Sequence, residues 1–206
     1  MTNYTPVEVP QSILGRFKAL PVATIWGHTQ KDAGVPLPFM EGVFPFTKGV
    51  RLAARARTLR YLPPRPDLTA ETKLGELSPE YAAMARCGPS DVLVCDLMKS
   101  TRPCVFGDVK AMQLKMNNAD GIVTDGGIRD LDIMDQEGYD LIIYAGAQTP
   151  YGSAPWAIPA DHRARTYLLI VRARRRSYPR EIRSCCSTVG GNSTSPSAAD
   201  RGCGRR

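Results

Sequence analysis

Gly121-Ile122-Val123-Thr124-Asp125-Gly126-Gly127-Ile128-Arg129-Asp130 begins as an apolar, β-branched run and ends on two glycines and a charged pair. That order predicts a strand over 121–125, a turn at 126–127 and a helix over 130–136. Upstream, residues 79–86 read as a short helix, 91–96 as a buried strand and 104–106 as a brief strand running into Gly107. Residues 108–118 read as a helix with Val109, Met112, Leu114 and Met116 partly on one face, and 140–145 as a further strand. Strands alternating with short helices make this an α/β chain with a parallel portion of sheet.

Ahead of that block, 10–33 is predicted helical with a break at Pro21, and 34–45 is a Pro/Gly-rich loop. Residues 50–62 alternate: Leu52, Ala54 and Ala56 lie on one side, and Arg51, Arg55 and Arg57 on the other. This predicts a half-buried strand whose arginine row is a solvated face rather than a phosphate-binding stripe.

The chain has 206 residues, 43% hydrophobic and 23% charged, which is globular usage. No run approaches the length of a membrane span, and the first eight residues lack the basic and apolar regions of a signal peptide. A cytoplasmic location and reduced thiols are the expectation. Cys87, Cys95 and Cys104 are expected to be packing residues, because their spacing fits no zinc pattern. The net charge of +7 is unevenly placed. Eleven arginines and two acids fall in 163–206, giving that segment +9 and leaving 16 basic against 18 acidic groups before it. The expected organisation is a mildly acidic domain over 1–162 and a basic tail over 163–206.

Two strand-to-helix turns carry the candidate chemistry, one at residues 107–110 and one at 125–130. In a right-handed βαβ arrangement the carboxyl ends of neighbouring parallel strands share an edge, where open α/β sheets bind ligands. Gly107 and Asp108 should therefore meet Arg129 and Asp130. Gly107 permits close approach, and the N–H groups opening the following helix can hold a carboxylate. Arg129 offers a fixed-charge fork for a carboxylate or a developing enolate oxygen. Asp130 is a hard oxygen ligand suited to Mg²⁺ or Mn²⁺. On residue types alone a second reading stays open, in which Asp130 caps its helix and Arg129 makes a surface ion pair. Asp108 could move a proton or cap its helix, and the cap is favoured. His28 and His162 have no visible partners.

The run 121–130, preceded by Gly107-Asp108 at a fixed interval and joined to Arg57-Thr58-Leu59-Arg60-Tyr61-Leu62-Pro63-Pro64-Arg65-Pro66-Asp67-Leu68, resembles the RraA-like family over roughly residues 12–155. That family holds the regulator of ribonuclease E activity A and the class II 4-hydroxy-4-methyl-2-oxoglutarate aldolases. The resemblance implies a three-layer β/β/α swivelling domain, a homotrimer and a divalent metal. In aldolase members the residues matching Gly107, Asp108, Val109 and Lys110 and the arginine matching Arg129 bind substrate, and the aspartate matching Asp130 serves the metal. The implied reaction is retro-aldol cleavage of a small α-keto acid, or oxaloacetate decarboxylation, through a pyruvate enolate. The rival implication is a non-catalytic regulator that binds a ribonuclease, for which an acidic body suits a basic partner. Two positions depart from the family: Lys110 stands where leucine is common, and Ile133 where many members carry an acid.

Beyond residue 155 the likeness stops, and the C-terminal part of the fold is expected to be incomplete. Only 167–171 has strand character in the tail. The tail is either a genuine basic extension or the product of a reading frame that slips near residue 163. The second is favoured, because one codon set for residues 180–190, read one frame over, encodes a family-like Val-Val-Leu-Phe-Asp-Gly-Gly. Nucleic-acid binding by the tail is not expected.

Overall fold

A computed structural model describes residues 9–32, 34, 39–63, 65–72 and 74–152, and the strands at 158–161 and 167–172. The sequence-based expectations for His162 and for the remainder of the tail lie outside the described residues.

The described residues start with two helices, α1 (Gln11–Ala19) and α2 (Val22–Asp32). Pro21 separates them by forcing Leu20 into extended backbone (φ −85°, ψ 145°). The strand β1 (Phe44–Pro45) lies inside the segment expected to be loop, and is followed by the long β2 (Arg51–Leu62). Two short helices come next, α3 (Pro66–Thr72) and α4 (Pro79–Ala85), the latter with proline in its first turn where no N–H is needed. From there strands and helices alternate: β3 (Asp91–Asp96), β4 (Cys104–Phe106), α5 (Asp108–Met116), β5 (Gly121–Thr124), β6 (Gly127–Ile128), α6 (Leu131–Gln136), β7 (Ile142–Ala145) and β8 (Ala147–Gln148). β9 (Ile158–Asp161) and β10 (Tyr167–Arg172) close the described chain, the latter where sequence shows strand character.

The large sheet runs β1-β7-β5-β3-β2-β10, with β9 also on β2. Its centre is parallel: Leu93 lies opposite Ile122, and Ile122 opposite Ile143. Its flanks are antiparallel, β1 on β7 and both β9 and β10 on β2. Both faces are covered. Leu93, Cys95, Ile122 and Ile143 pack towards Met84, Leu114, Met134 and the strands carrying Val105, Phe106 and Ile128. The alternate residues Val92, Val123 and Tyr144 join Leu52 and Ala54 against Met40 and Val43. Strands buried on both faces account for the unbroken apolar runs in the sequence. At Gly121 a Cβ would lie 2.0 Å from the Ile142 carbonyl oxygen, so β5 and β7 can pair there only through glycine.

A second sheet, β4-β6-β8, is small and wholly parallel. With the large sheet and the helices it makes the fold a mixed α/β architecture of the three-layer β/β/α type. Gly127, expected in a turn, is the first residue of β6.

The arginine row on β2 corrects the solvated-face expectation. Arg55 and Arg57 turn their Nε atoms onto Asp91, at 2.7 and 3.1 Å, and Arg51 donates to the carbonyls of Lys18 and Leu20. These are internal ties, neither a wet face nor a phosphate stripe. The helix α5 corrects a second expectation. Ala111 and Leu114 face the core, whereas Val109, Met112 and Met116 are exposed. The cysteines Cys87, Cys95 and Cys104 are free and buried. Burial pushes the Cys87 thiol up to about 12.

Candidate functional site

The small sheet brings the two turns together. β4 and β6 are parallel neighbours, with Phe106 opposite Ile128, and the Arg129 N–H donates to the Phe106 carbonyl at 3.1 Å. The chain leaves β4 at Gly107 and β6 at Arg129, side by side. The convergence foreseen from the sequence is therefore present, on the three-stranded sheet.

Contact at this point is close. A Cβ on Gly107 would lie 2.6 Å from Asp130 Oδ2 and 3.0 Å from Arg129 Nε. Arg129 Nε donates to Asp130 Oδ2 at 3.0 Å, and the Asp108 N–H approaches the same oxygen at 3.5 Å. Asp130 occupies the left-handed region (φ 56°, ψ 32°), which aspartate tolerates better than most residues. It stands at the N-cap position of α6, yet its side chain makes no capping bond there. The carboxylate instead lies across to the start of α5, where the unpaired N–H groups and helix dipole favour an anion. The helix-cap reading of Asp130 is thereby set aside. The favoured cap reading of Asp108 is corrected as well. Gly107 holds the N-cap position of α5, and Asp108 is the first residue inside the helix.

The first intrahelical bond of α5 runs from the Ala111 N–H to the Gly107 carbonyl at 2.9 Å. The N–H groups of Asp108, Val109 and Lys110 therefore precede the helical ladder, as an anion site requires. The Lys110 side chain does not join them. Its Nζ lies 2.7 Å from Glu80 Oε2 and 2.9 Å from the Val105 carbonyl oxygen, and Tyr61 donates to the same Glu80 oxygen at 2.9 Å. Glu80 and Tyr61 were not singled out in the sequence, because their contacts span 19 and 30 residues and depend on tertiary folding. Ile133 is exposed on α6. His28, without a partner in the sequence reading, pairs with Asp32 one helical turn on, at 2.8 Å in solvent.

Arg129 and Asp130 remain accessible, with side-chain exposures of 45% and 32%. The Arg129 pairing engages Nε, and its Nη groups make no hydrogen bond among the described residues. An exposed pair of this kind contributes about 0–1 kcal/mol to stability. No three His, Cys, Asp or Glu side chains converge among the described residues. The available donor set is a single carboxylate, Asp130. That suits an ion such as Mg²⁺, which keeps several waters and takes one or two protein carboxylates. A cavity of about 380 Å³ opens elsewhere, past the ends of β3 and β5 between Met40, Val43, Val94 and Val123. None of residues 107–110, 129 or 130 lines it. No helix among the described residues is long and apolar enough to cross a membrane.

Solved structures share this fold. A Streptomyces coelicolor protein described as an unusual member of the RNase ES inhibitor RraA protein family superposes with a TM-score of 0.64 at 23% identity, covering 74% of this chain and 72% of its own. An uncharacterized protein from Pseudomonas syringae pv. tomato gives 0.62 at 18% identity, over 78% and 67%. A protein described among novel cellulases from gut-associated microbes gives 0.63 at 15%, over 84% and 75%. No curated protein matches the sequence. The family model described as RraA-like, Aldolase/RraA, matches residues 28–157, which takes in the parallel centre of the large sheet, the small sheet and both turns of the candidate site. On that match the chain belongs to the RraA-like family.

Proposed function

We propose that the chain is a carbon–carbon lyase for small α-keto acids, of the 4-hydroxy-4-methyl-2-oxoglutarate aldolase or oxaloacetate decarboxylase type. The observation that carries this reading is the meeting of Arg129 and Asp130 with the open N-terminus of α5 at Gly107, where a Cβ would crowd both side chains. The N–H groups of residues 108–110 would hold the substrate carboxylate. The Arg129 Nη groups would lie against the keto oxygen and neutralise the enolate as the carbon–carbon bond breaks. Asp108, half-buried at the helix start, would exchange a proton with the enolate carbon. Asp130 would hold a Mg²⁺ or Mn²⁺ ion, which when bound supplies Lewis acidity to the keto oxygen.

The test is pyruvate release from oxaloacetate by the purified chain, with Mg²⁺ or with EDTA, beside Arg129→Ala. The expected result is release above that of free Mg²⁺, abolished by EDTA and lowered about 100-fold or more in the variant. No release from a chain that unfolds cooperatively excludes the lyase.

A regulator that binds a ribonuclease is the second reading, and one observation favours it. Val109, Met112 and Met116 are exposed along α5, with exposed Ile133 on α6. Contiguous exposed apolar surface is characteristic of protein contacts. Retention of a ribonuclease by the intact chain, lost in Met112→Asp while the protein's mass in solution is unchanged, would support the regulator over self-association.

A further inference from the structure

Lys110 occupies an unusual position for a cation. It is the third residue of α5, where the helix dipole disfavours positive charge, and its ammonium is directed away from the candidate site. Two groups hold it there. Glu80 Oε2 lies 2.7 Å from Nζ and the Val105 carbonyl oxygen 2.9 Å, with Lys110 and Glu80 side chains only 18% and 16% exposed. Behind Glu80 stands Tyr61 on β2, 1% exposed, whose hydroxyl donates to the same oxygen at 2.9 Å. Burial, with the charge of Cys95 and Glu80 adding to it, pushes the Tyr61 pKa well above the usual phenol range, so it stays a donor.

The connectivity matters more than the charge. Val105 is the second residue of β4 and Lys110 lies in the first turn of α5, so the bond between them spans Phe106, Gly107, Asp108 and Val109. It closes the turn on its inner side. Glu80 then fastens that closed turn to α4, and Tyr61 fastens Glu80 to the large sheet.

We propose that Tyr61, Glu80 and Lys110 form a brace that fixes the turn at residues 107–110, with Glu80 and the Lys110 side chain as positioning residues for the N–H groups of 108–110. The proposal rests on the reading of those N–H groups as the carboxylate site. The brace replaces backbone freedom with charge-assisted bonds in a half-buried setting, where such bonds are stronger than at the surface. Its substrate-side consequence is affinity gained by pre-organisation.

The experiment compares wild type with Lys110→Met, Lys110→Arg and Glu80→Gln on three readouts: amide hydrogen exchange at 108–111, affinity for oxalate in the presence of Mg²⁺, and thermal midpoint. In Lys110→Met, exchange at 108–111 should accelerate about tenfold while β3 and β5 keep their protection, and oxalate should bind about tenfold more weakly. Glu80→Gln should show the same pattern more weakly, and Lys110→Arg should recover much of both. Unchanged exchange at 108–111 in Lys110→Met and Glu80→Gln, with only the midpoint lowered, overturns the brace. Accelerated exchange with no oxalate binding by wild type supports the brace and overturns the carboxylate-site reading instead. Should Lys110→Met fail to fold, Glu80→Gln and Lys110→Arg decide alone.

Discussion

Asp91 and Asp130 are both aspartates beside arginines in this protein, and their surroundings make them opposites. Asp91, with a side chain 4% exposed, accepts from Arg55, from Arg57 and from the Gly88 N–H. Asp130, 32% exposed, pairs with the arginine directly before it in sequence, from left-handed backbone. One carboxylate is saturated by partners on neighbouring elements and has nothing left for a ligand. The other is held by a local contact, faces water, and lies beside the first N–H groups of α5, that of Asp108 approaching it at 3.5 Å. Saturation and burial mark the structural cluster. Accessibility beside open donors marks the candidate site.

That contrast can be broken experimentally, most forcefully at Asp91. Asp91→Ala should destabilise the fold by about 3–5 kcal/mol, because it leaves two half-buried guanidinium groups without their carboxylate. Urea denaturation measures it; a loss below about 1 kcal/mol would remove the distinction between the two aspartates. Gly107→Ala comes next. Its Cβ would lie 2.6 Å from Asp130 Oδ2 and must displace that side chain, so keto-acid turnover should fall about 100-fold or more. Since the displaced carboxylate can move outwards, the thermal midpoint should change little. A smaller effect is expected at high pH. The Cys87 thiol is raised by burial and then by the Asp91 charge, against the pull of Arg57. A raised folded pKa contributes stability that is complete below the unfolded value near 9 and is lost as pH climbs towards about 12. Denaturation at pH 8 and pH 10 should differ by about 1 kcal/mol from this thiol, and Cys87→Ala should reduce the difference. Smallest of all is Asp130→Asn, which should alter stability by less than about 1 kcal/mol while lowering turnover. A large loss of stability there would return Asp130 to a structural role.

The same two aspartates show what could be read from the sequence. Around Asp130 almost everything was legible, since 121–130 contains its strand character, its glycines and its Arg-Asp pair in one run. Family resemblance and βα geometry led to the same residues. The small sheet itself was not legible. β6 and β8 are two residues each, too short for a period-two pattern, so Gly127 read as a turn. Around Asp91 local reading failed outright. Arg51, Arg55 and Arg57 alternate with apolar residues, and alternation normally means one wet face. Nothing within β2 shows that an acid 34 and 36 residues later neutralises two of them. On α5 the apolar residues Val109, Met112 and Met116 mimic a core stripe, yet the buried positions belong to Ala111 and Leu114, the smaller and the centrally placed residues. Lys110 was noticed only as a departure from the family, and its contacts with Glu80 and Val105 depend on tertiary folding.

The pairing of β2 has a consequence for how the chain is made. On one side β2 is matched by β3, which follows it closely; on the other it is matched by β9 and β10, about a hundred residues later. At translation rates of about 5–20 residues per second, a ribosome exposes that open margin of the sheet for roughly 5–20 s before its cover is synthesised. Bare strand margins recruit other chains. Output of intact protein should therefore depend on how fast codons 63–166 are read, with slow stretches there favouring inclusion bodies over folded product.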